Sequence, residues 1–122
     1  MTLSQHPRFT AASLFSGCGG LDLGFVAEGF ELAYSCDSDA SAVAVHARNL
    51  RSRVVQRDVR DESFIRDLNG LSGIDVVLGG FPCQGFSKAG PKNEGDTRNL
   101  LYERMVEGVR ILRPAAFVAE NV

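Results

Sequence analysis

The sequence has no tryptophan, only three cysteines and no excess of basic residues. Cys18, Cys36 and Cys83 form no Cys-x-x-Cys pair, and an odd number of cysteines cannot be fully paired within one chain. Neither a zinc site nor a disulfide scaffold is therefore indicated, and a reducing, intracellular setting fits best. We interpret Cys18 and Cys36 as small buried packing residues, which is the commonest role of a free cysteine.

Basic charge and long apolar runs are also scarce. The formal net charge is -2, whereas proteins that hold DNA unaided usually carry a basic surface that displaces counterions from the phosphates. We therefore expect the chain alone to bind DNA weakly. No apolar run approaches the roughly 18 residues that span a bilayer, and residues 1–10 lack the pattern of an export signal. With 44% hydrophobic residues, we expect one soluble, cytoplasmic globular domain with no membrane partner.

Short apolar runs alternate with helix-like segments, which is typical of an α/β fold with a doubly wound, mainly parallel sheet. The strands are predicted at residues 11–15, 31–36, 53–56, 74–78 and 115–119. The first helix would present one apolar face, formed by Leu21, Leu23, Val26 and Ala27. Asp39 is predicted to cap a second helix that reaches about Asn49. A third would start at Asp61 or Ser63 and end before Gly70, and a fourth would carry Leu101, Met105, Val109 and Leu112 before Pro114.

A glycine turn, Ser16-Gly17-Cys18-Gly19-Gly20, follows the first predicted strand. Its glycines permit a tight turn and leave room for a ligand against the start of the next helix, where free N–H groups point outward. Position 22 is Asp22 rather than the third glycine of the dinucleotide fingerprint, which disfavours a pyrophosphate-bearing cofactor. Asp37 lies about 20 residues after Gly17, at a strand tip where a carboxylate can accept both ribose hydroxyls. A tight turn with nothing bound is the alternative.

Cys83 and Glu120 each follow a predicted strand, the fourth and the fifth. Open α/β sheets bind their ligands outside the carboxyl ends of the strands. If these two strands are neighbours, about 4.8 Å apart, the thiol and the carboxyl group emerge side by side at one rim. Taken singly, Cys83 could be a packing residue and Glu120 a solvated strand end.

Three segments resemble the first, fourth and sixth signature motifs of cytosine-C5 DNA methyltransferases, in that family's order. They are Phe-Ser-Gly-Cys-Gly-Gly-Leu at 15–21, Gly-Phe-Pro-Cys-Gln-Gly-Phe-Ser at 80–87 and Glu-Asn-Val at 120–122. The resemblance implies a Rossmann-like sheet of the S-adenosylmethionine-dependent type, truncated after about five strands. It also implies that Cys83 attacks C6 of a cytosine flipped out of double-stranded DNA, while Glu120 binds the N3 and exocyclic amine of that base. S-adenosyl-L-methionine would be the methyl donor, S-adenosyl-L-homocysteine the product, and no metal would be needed.

The resemblance also implies the ligand contacts. Cofactor-binding residues would be Phe15, Gly17, Gly19, Gly20, Leu21, Asp37, Ser38, Asp58 and Pro82. Gln84 and Ser87 would lie near DNA and Arg98 near a phosphate, with the loop at residues 85–97 closing over the base. Two positions depart from the family pattern: Asp37 stands where glutamate is usual, and Ser38 where many members carry an aromatic ring.

Complete members of that family continue with an arginine-bearing strand, a target-recognition region and a closing C-terminal helix. We therefore expect residues 1–122 to be the N-terminal portion of a catalytic, cofactor-binding domain that leaves an open sheet edge. Such a chain would need its remainder or a complementary C-terminal methyltransferase chain. It would serve bacterial restriction-modification in the cytoplasm, at the nucleoid. The alternatives are a non-catalytic module that regulates a partner methyltransferase, and a nicotinamide-dependent dehydrogenase, which Asp22 and the Pro-Cys-Gln turn disfavour.

Overall fold

The computed structural model describes residues 8–82 and 97–121 of the chain. These residues form alternating strands and helices: β1 (Thr10–Leu14), α1 (Gly20–Ala27), β2 (Glu31–Asp37), α2 (Ala40–Asn49), β3 (Val54–Gln56), α3 (Glu62–Asn69), β4 (Val76–Gly79), α4 (Thr97–Leu112) and β5 (Ala116–Ala119). Each predicted strand and helix is present, with small shifts of its ends.

The five strands form one parallel sheet in the order β3-β2-β1-β4-β5. The predicted parallel α/β fold is therefore confirmed. β4 pairs directly with β5, and Gly79 lies opposite Ala119. Because all strands are parallel, their carboxyl ends share one rim of the sheet, and the segments that follow them meet there.

Apolar side chains cover both faces of the sheet, because successive residues of a strand point to opposite sides. On one face, strand residues pack against α3 and α4, in a core that includes Leu14, Tyr34, Val77, Phe64, Leu68 and Met105. On the other face, a smaller cluster joins the sheet to α1 and includes Ala11, Leu32, Leu78 and Phe25. Full burial of one such side chain contributes about 1.5–3 kcal/mol. The two clusters make the sheet doubly wound.

The apolar face predicted for α1 is not the buried side of that helix. Leu21, Leu23 and Val26 are exposed by 39%, 53% and 38%, and Ala27 is exposed too. The fully buried residue of this helix is Asp22. Its carboxylate turns toward the sheet to meet polar partners there, and Phe25 packs on the sheet from the same helix, so Leu21, Leu23 and Val26 are left on its exposed sides.

Helix ends follow the sequence signals more closely. Asp39 is the N-cap of α2, as predicted, and its Oδ1 accepts a 2.8 Å hydrogen bond from the backbone N–H of Ser41. Asp61 occupies the N-cap position of α3, and Gly70 follows the last residue of that helix. The local cues for starting and stopping a helix were therefore sufficient here.

Two cysteines lie among the described residues, and only one is buried. Cys36 lies in β2, and burial raises the pKa of its thiol to about 12. The predicted packing role is thus confirmed for Cys36 and wrong for Cys18, which is exposed. Cys18 lies between the two left-handed glycines of the turn after β1, where the chain leaves the core.

β5 lies at the edge of the sheet, as the sequence led us to expect. All four of its residues are exposed, and Phe117 exposes 58% of its surface. Within residues 8–82 and 97–121, no helix is both long and apolar enough to cross a bilayer. Over the same residues, no group of three or more His, Cys, Asp or Glu side chains is arranged to hold a metal ion.

Candidate functional site

The glycine turn after β1 adopts backbone angles that other residues rarely accept. Gly17 has φ 56° and Gly19 has φ 93°, both in the left-handed region. A Cβ added at Gly19 would lie 2.8 Å from Cδ2 of His46 and 2.7 Å from Cδ1 of Leu50. Glycine at position 19 is therefore required both by the backbone angle and by close packing on α2.

Asp37, at the end of β2, is tied to this turn. Its Oδ2 accepts a 2.9 Å hydrogen bond from the N–H of Gly17, and its Oδ1 accepts one of 2.9 Å from the N–H of Asp39. A carboxylate oxygen has two acceptor sites, so each oxygen retains one. Asp37 can therefore hold the turn and still accept two ligand hydroxyls.

A cavity of about 400 Å³ opens at the carboxyl rim beside Asp37. Six of the predicted cofactor residues line it: Phe15, Gly17, Asp37, Ser38, Asp58 and Pro82. Other lining residues were not predicted: Arg57, Val59, Arg60, Gly80 and Leu101. The volume lies within the roughly 300–1,000 Å³ of small-molecule sites. The parallel sheet has thus brought these segments, distant along the chain, around one hollow.

A second cavity, of about 220 Å³, adjoins the first. Its lining comprises Ser13, Phe15, Ser16, Leu21, Asp22, Gly80 and Glu120. Phe15 and Gly80 line both cavities, so the two hollows share a wall. Leu21 and Glu120 are the predicted site residues that line the second cavity but not the first. Gly19 and Gly20 line neither cavity, although they start α1 beside them.

Glu120 follows β5 and reaches across the end of β4. Its backbone N–H donates a 2.8 Å hydrogen bond to the carbonyl of Gly79. Its Oε2 lies 3.5 Å from the position that a Cβ on Gly80 would occupy. Glu120 therefore meets the first residues of the segment that leads to Cys83. Cys83, Gln84 and Ser87 lie outside the described residues, as does the side chain of Arg98.

An aromatic row fixes the segment between Gly80 and Pro82. Phe81 is only 9% exposed and makes edge-to-face contacts with Phe15, at 6.5 Å between ring centroids, and with Tyr102 of α4, at 5.5 Å. Such pairs add about 0.5–1.5 kcal/mol beyond the apolar area that they bury. This packing sets where Pro82 leaves the sheet. Tyr102 was not predicted, because it lies outside the apolar spacing of Leu101, Met105, Val109 and Leu112 in α4.

Both arginines that line the larger cavity are paired with carboxylates. Arg57 Nε lies 2.8 Å from Asp67 Oδ2, and Arg60 Nη2 lies 2.6 Å from Asp58 Oδ2. The hydrogen bonds from Arg60 lower the pKa of Asp58. Burial would raise the pKa of Asp67, but hydrogen bonds from Arg57 and Tyr34 outweigh it and leave that pKa lowered.

These pairings were missed by the sequence analysis, although the run Arg57-Asp58-Val59-Arg60-Asp61 carried a visible signal in its alternating charges. The arrangement leaves the larger cavity rich in carboxylate oxygen, and the guanidinium groups on its wall are already neutralised. A ligand with hydroxyls, an amine and a positive charge suits it better than a pyrophosphate.

A buried polar cluster lies beneath the glycine turn. Ser13 Oγ donates to Oδ1 of Asp22, and Ser35 Oγ donates a 3.1 Å hydrogen bond to its Oδ2. Nε2 of His46 lies 2.7 Å from the same Oδ2. These side chains are all buried. From sequence, Asp22 was considered only as a residue that replaces a glycine, and its partners were not foreseen.

Comparison with known proteins gives one consistent result. The family model for C-5 cytosine-specific DNA methylases matches residues 9–122. The Type II methyltransferase M.BspRI of Lysinibacillus sphaericus is 34% identical over 142 aligned residues, which cover 97% of this chain and 34% of that protein. The chain spans about a third of the length of this relative.

Solved structures agree with the sequence match. A prophage-encoded protein from E. coli, described as a DNA modification methyltransferase, is 39% identical with a TM-score of 0.77, covering 94% of this chain and 32% of its own. The S-adenosylmethionine-dependent methyltransferase of Agrobacterium tumefaciens shares the fold at 20% identity and a TM-score of 0.65, covering 97% of this chain and 40% of its own.

Proposed function

This chain belongs to the C-5 cytosine-specific DNA methylase family, and we propose that it forms the cofactor-binding and nucleophile-bearing part of a DNA cytosine-C5 methyltransferase. One observation carries the proposal most directly. Asp37 and Glu120 lie in two cavities that share Phe15 and Gly80 as a common wall. A methyl donor held on the side of Asp37 would thus be next to a base held by Glu120.

The larger cavity suits S-adenosyl-L-methionine, which supplies an activated methyl group on a positively charged sulfur when bound. Asp37 would accept the ribose hydroxyls through its two remaining acceptor sites, with Ser38 beside it. Asp58 would accept from the adenine amine in place of its longest bond from Arg60, the 3.2 Å bond from Nε to Oδ2, because Arg60 already donates twice to each of its oxygens. The paired arginines offer no ready site for a pyrophosphate, which argues against a dinucleotide.

The turn would hold the other end of the cofactor. Gly17, Gly19, Gly20 and Leu21 bring the start of α1 to the cavities. Free N–H groups at a helix start bind carboxylates, so this end fits the methionine portion. Phe15 and Pro82 would lie between the two ligands, since Phe15 lines both cavities.

Cys83 would supply the nucleophile, because it follows Pro82 directly. C5 of cytosine is too poor a nucleophile to accept a methyl group. Addition of the Cys83 thiolate to C6 forms a carbon–sulfur bond and moves an electron pair to C5, which then resembles an enamine carbon. Glu120 would hydrogen-bond N3 and the exocyclic amine and so stabilise the charge that develops on the ring.

After methyl transfer, a base removes the C5 proton, the electron pair of that bond restores the ring double bond, and the thiolate leaves C6. C6 is inaccessible within stacked DNA, so the cytosine must be flipped out of the duplex. Gln84, Ser87 and Arg98 would contact the DNA around it. These contacts are proposed from the family resemblance and the position of the residues along the chain.

DNA recognition would require more protein than these residues. The net charge is -2, which is unsuited to holding phosphates unaided, and β5 presents an exposed strand edge. We propose that a C-terminal region, in the same chain or in a complementary one, covers that edge and recognises the target. The substrate would locate such an enzyme in the bacterial cytoplasm, with the nucleoid DNA.

Covalent trapping tests this function. The chain is mixed with S-adenosyl-L-methionine, a C-terminal methyltransferase portion and a duplex containing 5-fluorocytosine, whose fluorine blocks the final elimination. We expect a protein–DNA adduct with the wild-type chain, none with Cys83→Ser, and an unchanged adduct with the control Cys18→Ser. An adduct that survives Cys83→Ser would contradict the proposed nucleophile. Cofactor binding without any adduct would favour a module that regulates a partner methyltransferase.

A further inference from the structure

The carboxylate of Asp22 joins four elements of the fold. It belongs to the first turn of α1 and is bonded by Ser13 of β1, Ser35 of β2 and His46 of α2. Asp22 and His46 both have no exposed surface. Burying a carboxylate is costly unless hydrogen bonds replace its water, and here three donors do so.

The same histidine also supports the glycine turn. A Cβ on Gly19 would lie 2.8 Å from Cδ2 and 3.3 Å from Nε2 of His46, so the Gly19 backbone rests on the imidazole ring. Nδ1 of this ring is buried, with no hydrogen-bond partner among the described residues. Since both serines donate to Asp22, the arrangement fits a ring that carries its proton on Nε2 and donates it to Asp22.

Asp22 could have served its own helix instead. An acidic residue at this place in the first turn commonly reaches back to the free N–H groups of the helix start. Its oxygens are turned to Ser13, Ser35 and His46, and Gly19 at the N-cap offers no side-chain cap. Asp22 nevertheless lines the smaller cavity. Asp22 thereby ties the start of α1 to β1, β2 and α2, while the N–H groups at that helix start carry no side-chain cap and can bind a ligand.

We propose that Asp22 and His46 are a positioning pair that holds the glycine turn in the conformation that receives the cofactor. The inference rests on the proposed function for the identity of the ligand, though not for the geometry of the pair. A merely structural cluster would stabilise the fold and leave ligand affinity untouched. A positioning pair must affect the turn itself.

The test compares variants of equal stability in the full chain. Asp22→Asn and His46→Ala disrupt the pair, His46→Gln retains an N–H donor at similar reach, and Leu68→Ala creates a cavity on the opposite face of the sheet. Two quantities are measured: the Kd for S-adenosyl-L-homocysteine by calorimetry, and amide hydrogen exchange of the turn at residues 17–20 without ligand. The thermal unfolding midpoint of each variant is also measured, so that Kd and turn exchange are compared between variants with an equal loss of stability.

We expect Asp22→Asn and His46→Ala to raise the Kd by about tenfold or more and to speed exchange of the turn amides by a similar factor. His46→Gln should recover most of the affinity, and Leu68→Ala should leave Kd and turn exchange unchanged at an equal loss of midpoint. Equal effects of Asp22→Asn and Leu68→Ala on both measurements would overturn the proposal.

The proposed cofactor and the proposed positioning pair can be contradicted independently of each other. If the wild-type chain does not bind S-adenosyl-L-homocysteine, the proposed cofactor is wrong, and exchange of the unliganded turn still decides the role of the pair. If Asp22→Asn does not fold, Ser35→Ala takes its place, because it removes only the 3.1 Å bond to Asp22. Unchanged turn exchange in Ser35→Ala would then count against positioning.

Discussion

The backbone N–H of Gly17 donates a 2.9 Å hydrogen bond to Oδ2 of Asp37. This bond links the end of β2 to the turn after β1, so the acidic residue proposed as a ribose ligand is also part of the frame of its own site. Its other oxygen holds the N–H of Asp39 at the start of α2. Asp37 therefore couples ligand contact to the conformation of two neighbouring segments.

Asp37→Asn should weaken cofactor binding. The amide nitrogen that replaces one oxygen cannot accept, so either the bond from Gly17 or the bond from Asp39 is lost, together with one ligand hydroxyl contact. Loss of a hydrogen bond to a charged group costs about 1.5–3 kcal/mol. We expect the Kd for S-adenosyl-L-homocysteine to rise about 10- to 100-fold, measured by calorimetry. Asp39→Ser, which keeps a helix cap, is the control and should retain affinity. An unchanged Kd in Asp37→Asn would remove Asp37 from the site.

Two glycines of the same region should respond oppositely to alanine. Gly19 has φ 93° and packs on His46 and Leu50, so Gly19→Ala should destabilise the fold by about 1–3 kcal/mol or more. Gly24 lies within α1 with open space around it, so Gly24→Ala should stabilise by about 0.5–1 kcal/mol. Urea unfolding measures both changes. A tolerated Gly19→Ala would mean that the turn does not rest on α2.

Arg60→Ala should raise the pKa of Asp58 toward its ordinary value, because hydrogen bonds from Arg60 now hold that pKa low. A folded-state pKa below the unfolded one contributes stability above the unfolded value, and that contribution disappears as the pH falls through the folded value. The stability difference between wild type and Arg60→Ala should therefore vanish in acid. Carboxyl NMR titration follows Asp58 directly, with Arg66→Ala, another exposed arginine, as control. An unshifted Asp58 pKa would show that the pair does not form in solution.

Alkylation should separate the two cysteines of the described residues. Cys18 is exposed, whereas Cys36 is buried and its thiol pKa is raised to about 12. The thiolate is the reactive species, so iodoacetamide at pH 8 should label Cys18 within minutes and leave Cys36 unmodified until urea is added. Peptide mass spectrometry locates the label. Rapid modification of Cys36 in the native chain would show that β2 is not buried as described.

The strands and helices were predictable because their signals are local. Glycine, proline and the Asp39 cap mark the ends of elements, and alternation of apolar runs with helical spacing indicated the parallel sheet. The neighbouring positions of β4 and β5 followed from the usual order of such sheets. The cavity wall was predicted in part for the same reason, since residues at strand tips meet at one rim.

The errors arise where distant residues decide the outcome. The apolar residues of α1 predicted one apolar face formed by Leu21, Leu23, Val26 and Ala27, yet these side chains are exposed, and the buried residue is Asp22, which is bonded by Ser13, Ser35 and His46. The predicted burial of Cys18 was wrong for the same reason, because its exposure depends on how the turn leaves the sheet. The bond between Asp37 and Gly17 could not be foreseen either, since no sequence pattern says which donor an oxygen will find.

Because β1 lies at the centre of the sheet, the strands on one side of it are synthesised before the strands on the other side. On one side lie β2 and β3, which end by Gln56, and on the other lie β4 and β5, the latter made last. A ribosome adds about 5–20 residues each second and releases the N-terminal part first. Asp37 therefore leaves the ribosome seconds ahead of Glu120, and the growing chain can form the bond between Asp37 and the glycine turn before the carboxylate proposed to bind the base has been made.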